Sequence, residues 1–460
     1  MAKQKGVYVC SACGDKSAKW LGRCTGCGEY NTMQETLEAE VKGAPARYQA
    51  WSNTTGGVVK LRQVVAQDHQ RYVSGLGEFD RVLGGGLVKG SVVLLGGDPG
   101  IGKSTLLMQA MSNYARSGLK AMYATGEESV EQTKLRAERL GLEDADIDLL
   151  AEIDLQRILH AIETEAPHVV VIDSIQTLYS SELTSAPGSV AQVRECAAQL
   201  TRVAKSKGVS LVLVGHVTKD GALAGPRTLE HMVDAVLYFE GDPGESFRMI
   251  RGMKNRYGSA MELGVFAMTE LGLEEVNNPS SMFLTAHETP VPGVSVFAAL
   301  EGTRPFLVEI QALAEQTVSP NAKRSSMGMD NSRIQMLLAV LNKHAGVVAF
   351  DQNIYLKVVG GVKLSEPAAD LSSLLAVYSS LTEKPLPVET VVIGEVGLAG
   401  EVRAVRDIDT RLREAAKLGF SQAIIPAANK TKNIPAGIAV RRVSRVEQAL
   451  HALRELRQAA

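Results

Sequence analysis

The sequence predicts an α/β protein in three parts: a four-cysteine zinc knuckle, a phosphate-binding nucleotide core and a second α/β domain. Three observations carry this. Residues Gly97-Asp98-Pro99-Gly100-Ile101-Gly102-Lys103-Ser104 make a complete phosphate-binding loop, set directly after the apolar run Val92–Leu95. From about residue 60, short apolar runs alternate with amphipathic stretches, the pattern of a parallel sheet with crossover helices. Four of the five cysteines fall between positions 10 and 27.

At 460 residues the chain exceeds one ordinary core, and about three domains are expected. A hydrophobic share of 45% and a charged share of 22% are those of a globular protein. The net charge of −2 gives no global attraction to nucleic acid, so any such binding must come from local patches. No apolar run approaches the ~18 residues that cross a bilayer. The stretch Met1–Gly6 lacks the apolar segment of a secretory signal, so the expectation is a cytoplasmic chain with no membrane partner.

Taken in order, Cys10-x-x-Cys13 and Cys24-x-x-Cys27, ten residues apart, have the spacing of a tetrahedral thiolate Zn²⁺ site. Four ligands leave no open position, which makes the site structural. Gly14, Gly26 and Gly28 give the knuckles their turns. So short a segment buries little apolar area, so the metal would serve as its core. The module is placed at 1–30, a polar linker at 31–60, the nucleotide domain at 61–285 and the second α/β domain at 290–460.

The run Val92–Leu95 reads as a buried strand, and the segment from Thr105 opens a helix. The glycines turn backbone N–H groups toward a triphosphate, and the helix N-terminus adds partial positive charge. Lys103 reaches the β/γ-phosphates and the Ser104 hydroxyl ligates Mg²⁺. The expected ATP and Mg²⁺ set is therefore Gly97, Asp98, Pro99, Gly100, Ile101, Gly102, Lys103, Ser104 and Thr105. Further strands are expected at Ala121–Ala124, 168–172, Ser210–Val214 and Ala235–Phe239, with a helix over 190–205. Edge strands are expected at 247–251 and 264–268.

Asp173 ends one of these strands and is the expected orienter of Mg²⁺. Glu127 and Glu128 end another. A base must reach a water in line with the γ-phosphate, so Glu127 is the expected base and Glu128 the alternative; helix capping is the competing role for Glu127. His216, at the tip of a third strand, is placed to sense the γ-phosphate. Cys196, beside Ala197 and Ala198, reads as a buried inert thiol.

This order of loop, Glu-Glu strand, Asp strand and polar-tipped strand resembles the core of RecA-type recombinases. With the zinc knuckle before it and Lys254-Asn255-Arg256-Tyr257-Gly258 after it, the chain resembles the bacterial RadA (Sms) family of DNA repair ATPases. The family motif carries Phe where Tyr257 stands. The resemblance implies a RecA-like fold, a hexameric ring, action on single-stranded and branched DNA in recombination, and a RecA-type recombinase as partner. Lys254 and Arg256 lie far along the chain from the loop and are expected to act across a subunit interface on the γ-phosphate.

Two stretches, Tyr179–Ser189 and Lys219–Arg227, follow strand ends and are expected to face DNA, with Lys219 and Arg227 tracking phosphates. Beyond residue 290, a hairpin of 293–300 with 305–311 precedes alternating helix and strand, and 321–331 reads as a polar, mobile loop. Residues 363–426 resemble the proteolytic domain of Lon. Ala368 stands at the nucleophilic serine position and Asp409 at the lysine position, so the Ser-Lys dyad is absent. Arg403, Arg406, Arg411 and Arg413 are candidates for a basic face. A ring that switches a bound protein with ATP is the alternative function.

Overall fold

The computed structural model describes residues 6–10, 16–17, 19–37, 60, 70–216, 229–241, 247–276, 278–285, 289–317 and 321–459. Cys13, Lys219 and Arg227 lie outside the described residues. The chain divides into two units, Met1–Thr55 and Gly56–Ala460.

In the first unit, β1 (Gly6–Cys10) pairs antiparallel with both β2 (Lys16–Ser17) and β3 (Met33–Leu37). Among the described residues its buried cluster comprises Cys10, Cys24 and Met33, too few apolar groups to offset the chain entropy without further support.

The second unit opens with β4 (Arg71–Tyr72), α1 (Gly77–Leu83) and β5 (Leu87–Val88). There follow β6 (Val92–Gly97), α2 (Lys103–Arg116), β7 (Ala121–Thr125), α3 (Val130–Arg139), β8 (Ile147–Ala151) and α4 (Leu155–Glu165). Then come β9 (Val169–Asp173), α5 (Val190–Lys207), β10 (Ser210–His216), β11 (Ala235–Glu240), β12 (Phe247–Asn255), β13 (Leu263–Thr269) and β14 (Gly272–Glu275). They form one nine-stranded sheet in the order β14-β13-β12-β11-β6-β10-β9-β7-β8. The strands β11, β6, β10, β9, β7 and β8 run parallel, and β12, β13 and β14 add antiparallel at one edge.

Alternation along the parallel strands fills both faces. Val93, Leu95, Tyr123, Val171 and Val212 pack under Leu106, Leu107 and Met111 of α2. Val92, Leu94, Met122, Val170 and Leu211 pack against Ile158 and Ile162 of α4 and Val193, Ala197 and Leu200 of α5. Both faces being covered, these strands read as continuous apolar runs, which is why they are visible in the sequence.

Beyond this sheet lie α6 (Ser280–Phe283), β15 (Val294–Glu301), β16 (Arg304–Gln316), β17 (Arg324–Met327), α7 (Asn331–Ala345) and β18 (Gln352–Val358). After them come α8 (Asp370–Leu381), β19 (Thr390–Val392), β20 (Glu395–Val396), β21 (Val402–Arg403), α9 (Ile408–Lys417), β22 (Gln422–Pro426), β23 (Ala439–Val443) and α10 (Val446–Ala459). A seven-stranded sheet runs β17-β18-β16-β15-β19-β22-β23. The expected mobile loop at 321–331 is corrected here: Arg324–Met327 is a strand, paired parallel with β18. Its polarity misled because it is an edge strand with alternate residues exposed.

The turn between β15 and β16 is tied into the first sheet. Arg304 forms a buried ion pair with Glu78 of α1 and donates to the carbonyl of Leu263. Glu301 pairs with Arg251 at 2.5 Å, and Thr303 N donates to Glu262 at 3.1 Å. Met249, Leu263 and Val265 of the first sheet belong to the same buried cluster as the second, so apolar packing continues across the seam. Among the described residues no helix is long and apolar enough to cross a membrane.

Candidate functional site

The parallel register brings four strand ends to one edge. His216 pairs with Gly97, and Thr125 with Asp173. Ligand sites in open α/β sheets lie at this carboxyl edge. The phosphate-binding loop crosses it from β6 to α2. Gly102, at φ 116°, caps α2 without a side chain, so nothing competes for the N–H groups of the first turn. A Cβ at Gly102 would come 2.9 Å from Met268 Cε.

Lys103 is buried, and its Nζ donates to the carbonyls of Gly97 and Asp98, both at 2.9 Å, and stands 3.3 Å from His216 Nδ1. Burial lowers its pKa, opposed by Asp173, Glu127 and Asp98. Ser104 Oγ donates to Asp173 Oδ2 at 2.7 Å, and Tyr123 OH donates to the same oxygen at 2.5 Å. Asp173 is buried yet forms no ion pair among the described residues. A carboxylate and a hydroxyl side by side, with no paired cation, fit a hard divalent ion such as Mg²⁺.

Glu127 accepts from Ser174 Oγ at 2.5 Å and lies 2.8 Å from His216 Nε2. The hydrogen bond from His216 is the largest influence on its carboxyl, which is pushed down to about 2 against the opposing effect of burial. Glu128 lines the same cavity but is engaged in an ion pair with Arg136 of α3. The capping role weighed for Glu127 is taken by Ser129, whose side chain accepts from Gln132 N while Gln132 reaches back, a capping box. Loop, Glu127, Asp173 and His216 line one cavity of about 390 Å³, with Arg136 and Arg139 on its far wall. Tyr123, Ser174, Arg136 and Arg139 were missed from the sequence. The one signal was a tyrosine inside an otherwise apolar buried strand.

The structure does not bring Lys254 and Arg256 to this edge within one chain. Lys254 pairs in register with Val236 and Asn255 with Ala235, near the start of β11, whereas Phe239 at its end pairs with Gly97. Lys254 Nζ donates to the carbonyls of Glu230 (2.5 Å) and Val233 (2.8 Å), and burial followed by the nearby Arg256 lowers its pKa. Arg256 lies 3.4 Å from Asp234, a buried carboxylate that also binds Lys205. Tyr257 stacks its ring under Lys205, 5.9 Å from the centroid.

In the first unit the sulfurs of Cys10, Cys24 and Cys27 lie within 4.8 Å of one another, with Cys10 and Cys27 at 3.7 Å. Tetrahedral Zn–S bonds of ~2.3 Å require sulfurs about 3.8 Å apart, so the donors fit Zn²⁺. Gly26 N donates to Cys24 Sγ, and Gly28 takes φ 77° in the turn. Cys196, by contrast, is fully buried, and desolvation pushes its thiol up to about 12.

Ala368 is buried, and Asp409 accepts from Lys432 N. The segment around Ala368 is clamped by two arginines. Arg411 binds Glu366 at 2.6 Å, and Arg333 binds Asp370 at 2.5 Å. The basic face proposed for this domain therefore loses a member: Arg411 is 1% exposed and internal. Arg403 is neutralised in part by Glu401 and Glu395.

Comparison with known proteins follows this division. The family described as AAA domain matches residues 61–222, the rubredoxin metal binding domain matches 8–35, and the Lon protease (S16) C-terminal proteolytic domain matches 331–454. The chain is 51% identical over 455 residues to the DNA repair protein RadA of Pseudomonas aeruginosa, covering 99% of this chain and 100% of that one. It is 51% identical over 457 residues to the RadA of Bacillus subtilis, covering 98% and 99%. With the RadA of Escherichia coli K12 the identity is 47% over 462 residues, covering 99% and 100%.

Proposed function

Because this chain belongs to the bacterial DNA repair protein RadA family, with an AAA ATPase domain, we propose that it is a DNA-stimulated ATPase that processes single-stranded and branched recombination intermediates. The observation that carries the reading is the convergence of Lys103, Glu127, Asp173 and His216 on one cavity above the phosphate loop.

In this scheme the loop N–H groups and Lys103 hold the β/γ-phosphates. Lys103 must exchange at least one carbonyl acceptor for phosphate oxygen, which also changes what faces His216. Glu127, ionised and fixed by Ser174 and His216, orients the attacking water and accepts its proton. Ser104 and Asp173 would hold Mg²⁺, which supplies charge stabilisation at the phosphoryl oxygens. His216, touching both Lys103 and Glu127, reports the occupancy of the γ-site to the segment after β10.

Lys254 and Arg256 complete the pocket of a neighbouring copy in a hexameric ring. Their place at the opposite edge of the sheet from the loop supports a role in trans. Lys219, Arg227 and the stretch after Asp173 contact DNA phosphates, and a RecA-type recombinase is the protein partner in the cytoplasm. The C-terminal domain, with Ala368 and Asp409 at the dyad positions, serves assembly rather than peptide hydrolysis.

The test is ATP turnover with and without single-stranded DNA across a salt series. Stimulation that falls steeply with salt supports the reading. Turnover indifferent to DNA at every salt concentration overturns it in favour of an ATP-switched protein-binding ring.

A further inference from the structure

Tyr123, directly behind Asp173 of the nucleotide cavity, is a buried polar group that the hydrolysis scheme leaves without a task. It is 1% exposed in the middle of β7, among Met122, Ala124 and the apolar face under α2. A phenylalanine would fill the same space without the cost of burying a hydroxyl. The register explains what the hydroxyl does. Tyr123 stands opposite Val171, so Asp173, two residues further along β9, is its diagonal neighbour on the same face of the sheet.

The hydroxyl meets Asp173 Oδ2 at 2.5 Å, and Ser104 Oγ reaches the same oxygen at 2.7 Å. Two donors on one oxygen fix the carboxylate plane, and Oδ1 has no hydrogen bond among the described residues. The two donors differ in their other obligations. Ser104 must also offer a lone pair to the cation, whereas the Tyr123 hydroxyl, fixed in the buried strand, is turned to Asp173 and Ser104 alone of the groups named for Mg²⁺.

We propose that Tyr123 is a positioning residue for the divalent cation: its hydroxyl fixes the plane of the Asp173 carboxylate with one oxygen turned free, and thereby sets cation affinity and cation choice. The proposal rests on the ATPase reading above and assigns no contact between Tyr123 and nucleotide.

The experiment uses the full-length chain and Tyr123→Phe, with a fluorescent ATP analogue titrated at a series of Mg²⁺ concentrations. Tyr123→Phe is expected to raise the Mg²⁺ concentration for half-maximal binding about tenfold, the scale of one charge-assisted hydrogen bond. Binding without divalent cation should be unchanged, and Mn²⁺, which holds such sites more tightly, should restore most of the loss. The metal-free melting temperature checks that the variant folds, and Asp173→Asn on the same axes marks the full loss of the carboxylate. An unaltered Mg²⁺ midpoint overturns the proposal. So does an equal loss of metal-free binding, which would make the tyrosine a packing residue only. Absence of nucleotide binding by the unaltered chain would instead sink the ATPase reading and this proposal with it.

Discussion

Glu127 and His216 meet at 2.8 Å, carboxylate oxygen to Nε2, while the other nitrogen of the same ring stands 3.3 Å from Lys103 Nζ. One imidazole thus joins the lysine expected to hold phosphate with the carboxylate expected to activate water. Among the described residues no other side chain is hydrogen-bonded to both.

The pH dependence of stability should show this contact. The Glu127 carboxyl lies near 2 when folded against an ordinary value of 4.5, so its ionised form favours the folded state. That contribution is complete above about pH 4.5 and is lost as pH falls toward 2. His216→Ala removes the largest cause of the depression and should flatten the acid limb of melting temperature against pH in this window. Identical acid limbs would refute the assignment.

Glu127→Gln is expected to keep nucleotide affinity and to lower kcat by about 10²–10⁴, the range for loss of a general base. Glu128→Gln breaks only the pair with Arg136 and should change kcat less than tenfold. Steady-state turnover beside equilibrium nucleotide binding separates the two. A reversed ranking would make Glu128 the base.

Subunit mixing tests the action of Lys254 in trans. Lys254→Ala and Lys103→Ala protomers, each inactive alone, should regain activity when mixed, because roughly one interface in four then pairs an intact loop with an intact lysine in a head-to-tail ring. Mixtures as inactive as either parent would remove Lys254 from the neighbouring pocket.

For the seam between the two sheets, Arg304→Met removes the nearer cation of buried Glu78, leaving Arg81 at 3.7 Å, and should cost about 3 kcal/mol, the low end for a broken buried pair. A double change of Arg304 and Glu78 to apolar residues should recover much of that loss, read by urea denaturation. Equal losses in the single and double variants would show that the pair contributes nothing beyond packing.

Chelation should act on the first unit alone. Stripping Zn²⁺, or replacing Cys10 by Ser, is expected to unfold residues 8–35 while leaving nucleotide binding intact, followed by a colorimetric zinc assay and limited proteolysis.

What the sequence disclosed follows from how each part is built. Strands β6, β7, β9, β10 and β11 are buried on both faces, so each appears as a mainly apolar run, and all but β6, which ends in glycines, carry a polar residue at the tip. Strand β8 escaped notice because its residues are only half-buried at the sheet edge. The loop and the acids at the strand ends were legible since their chemistry is local. Tyr123 and Ser174 were not, because their partners lie 50 and 47 residues away and depend on strand register, and Arg136 was not, because its pair with Glu128 depends on how α3 leaves the strand. Arg411 misled for a related reason: an arginine reads as surface until its carboxylate partner is located in the interior.

The bolted turn at Glu301–Arg304 limits how the second unit can work. Drawing Arg304 away from Glu78 would strip a buried carboxylate of its nearer cation, leaving it the more distant Arg81 and the N–H of Val265, an excursion that thermal motion does not readily supply. A displacement of the first sheet at this joint would therefore carry the C-terminal sheet with it, as a lever moves its handle.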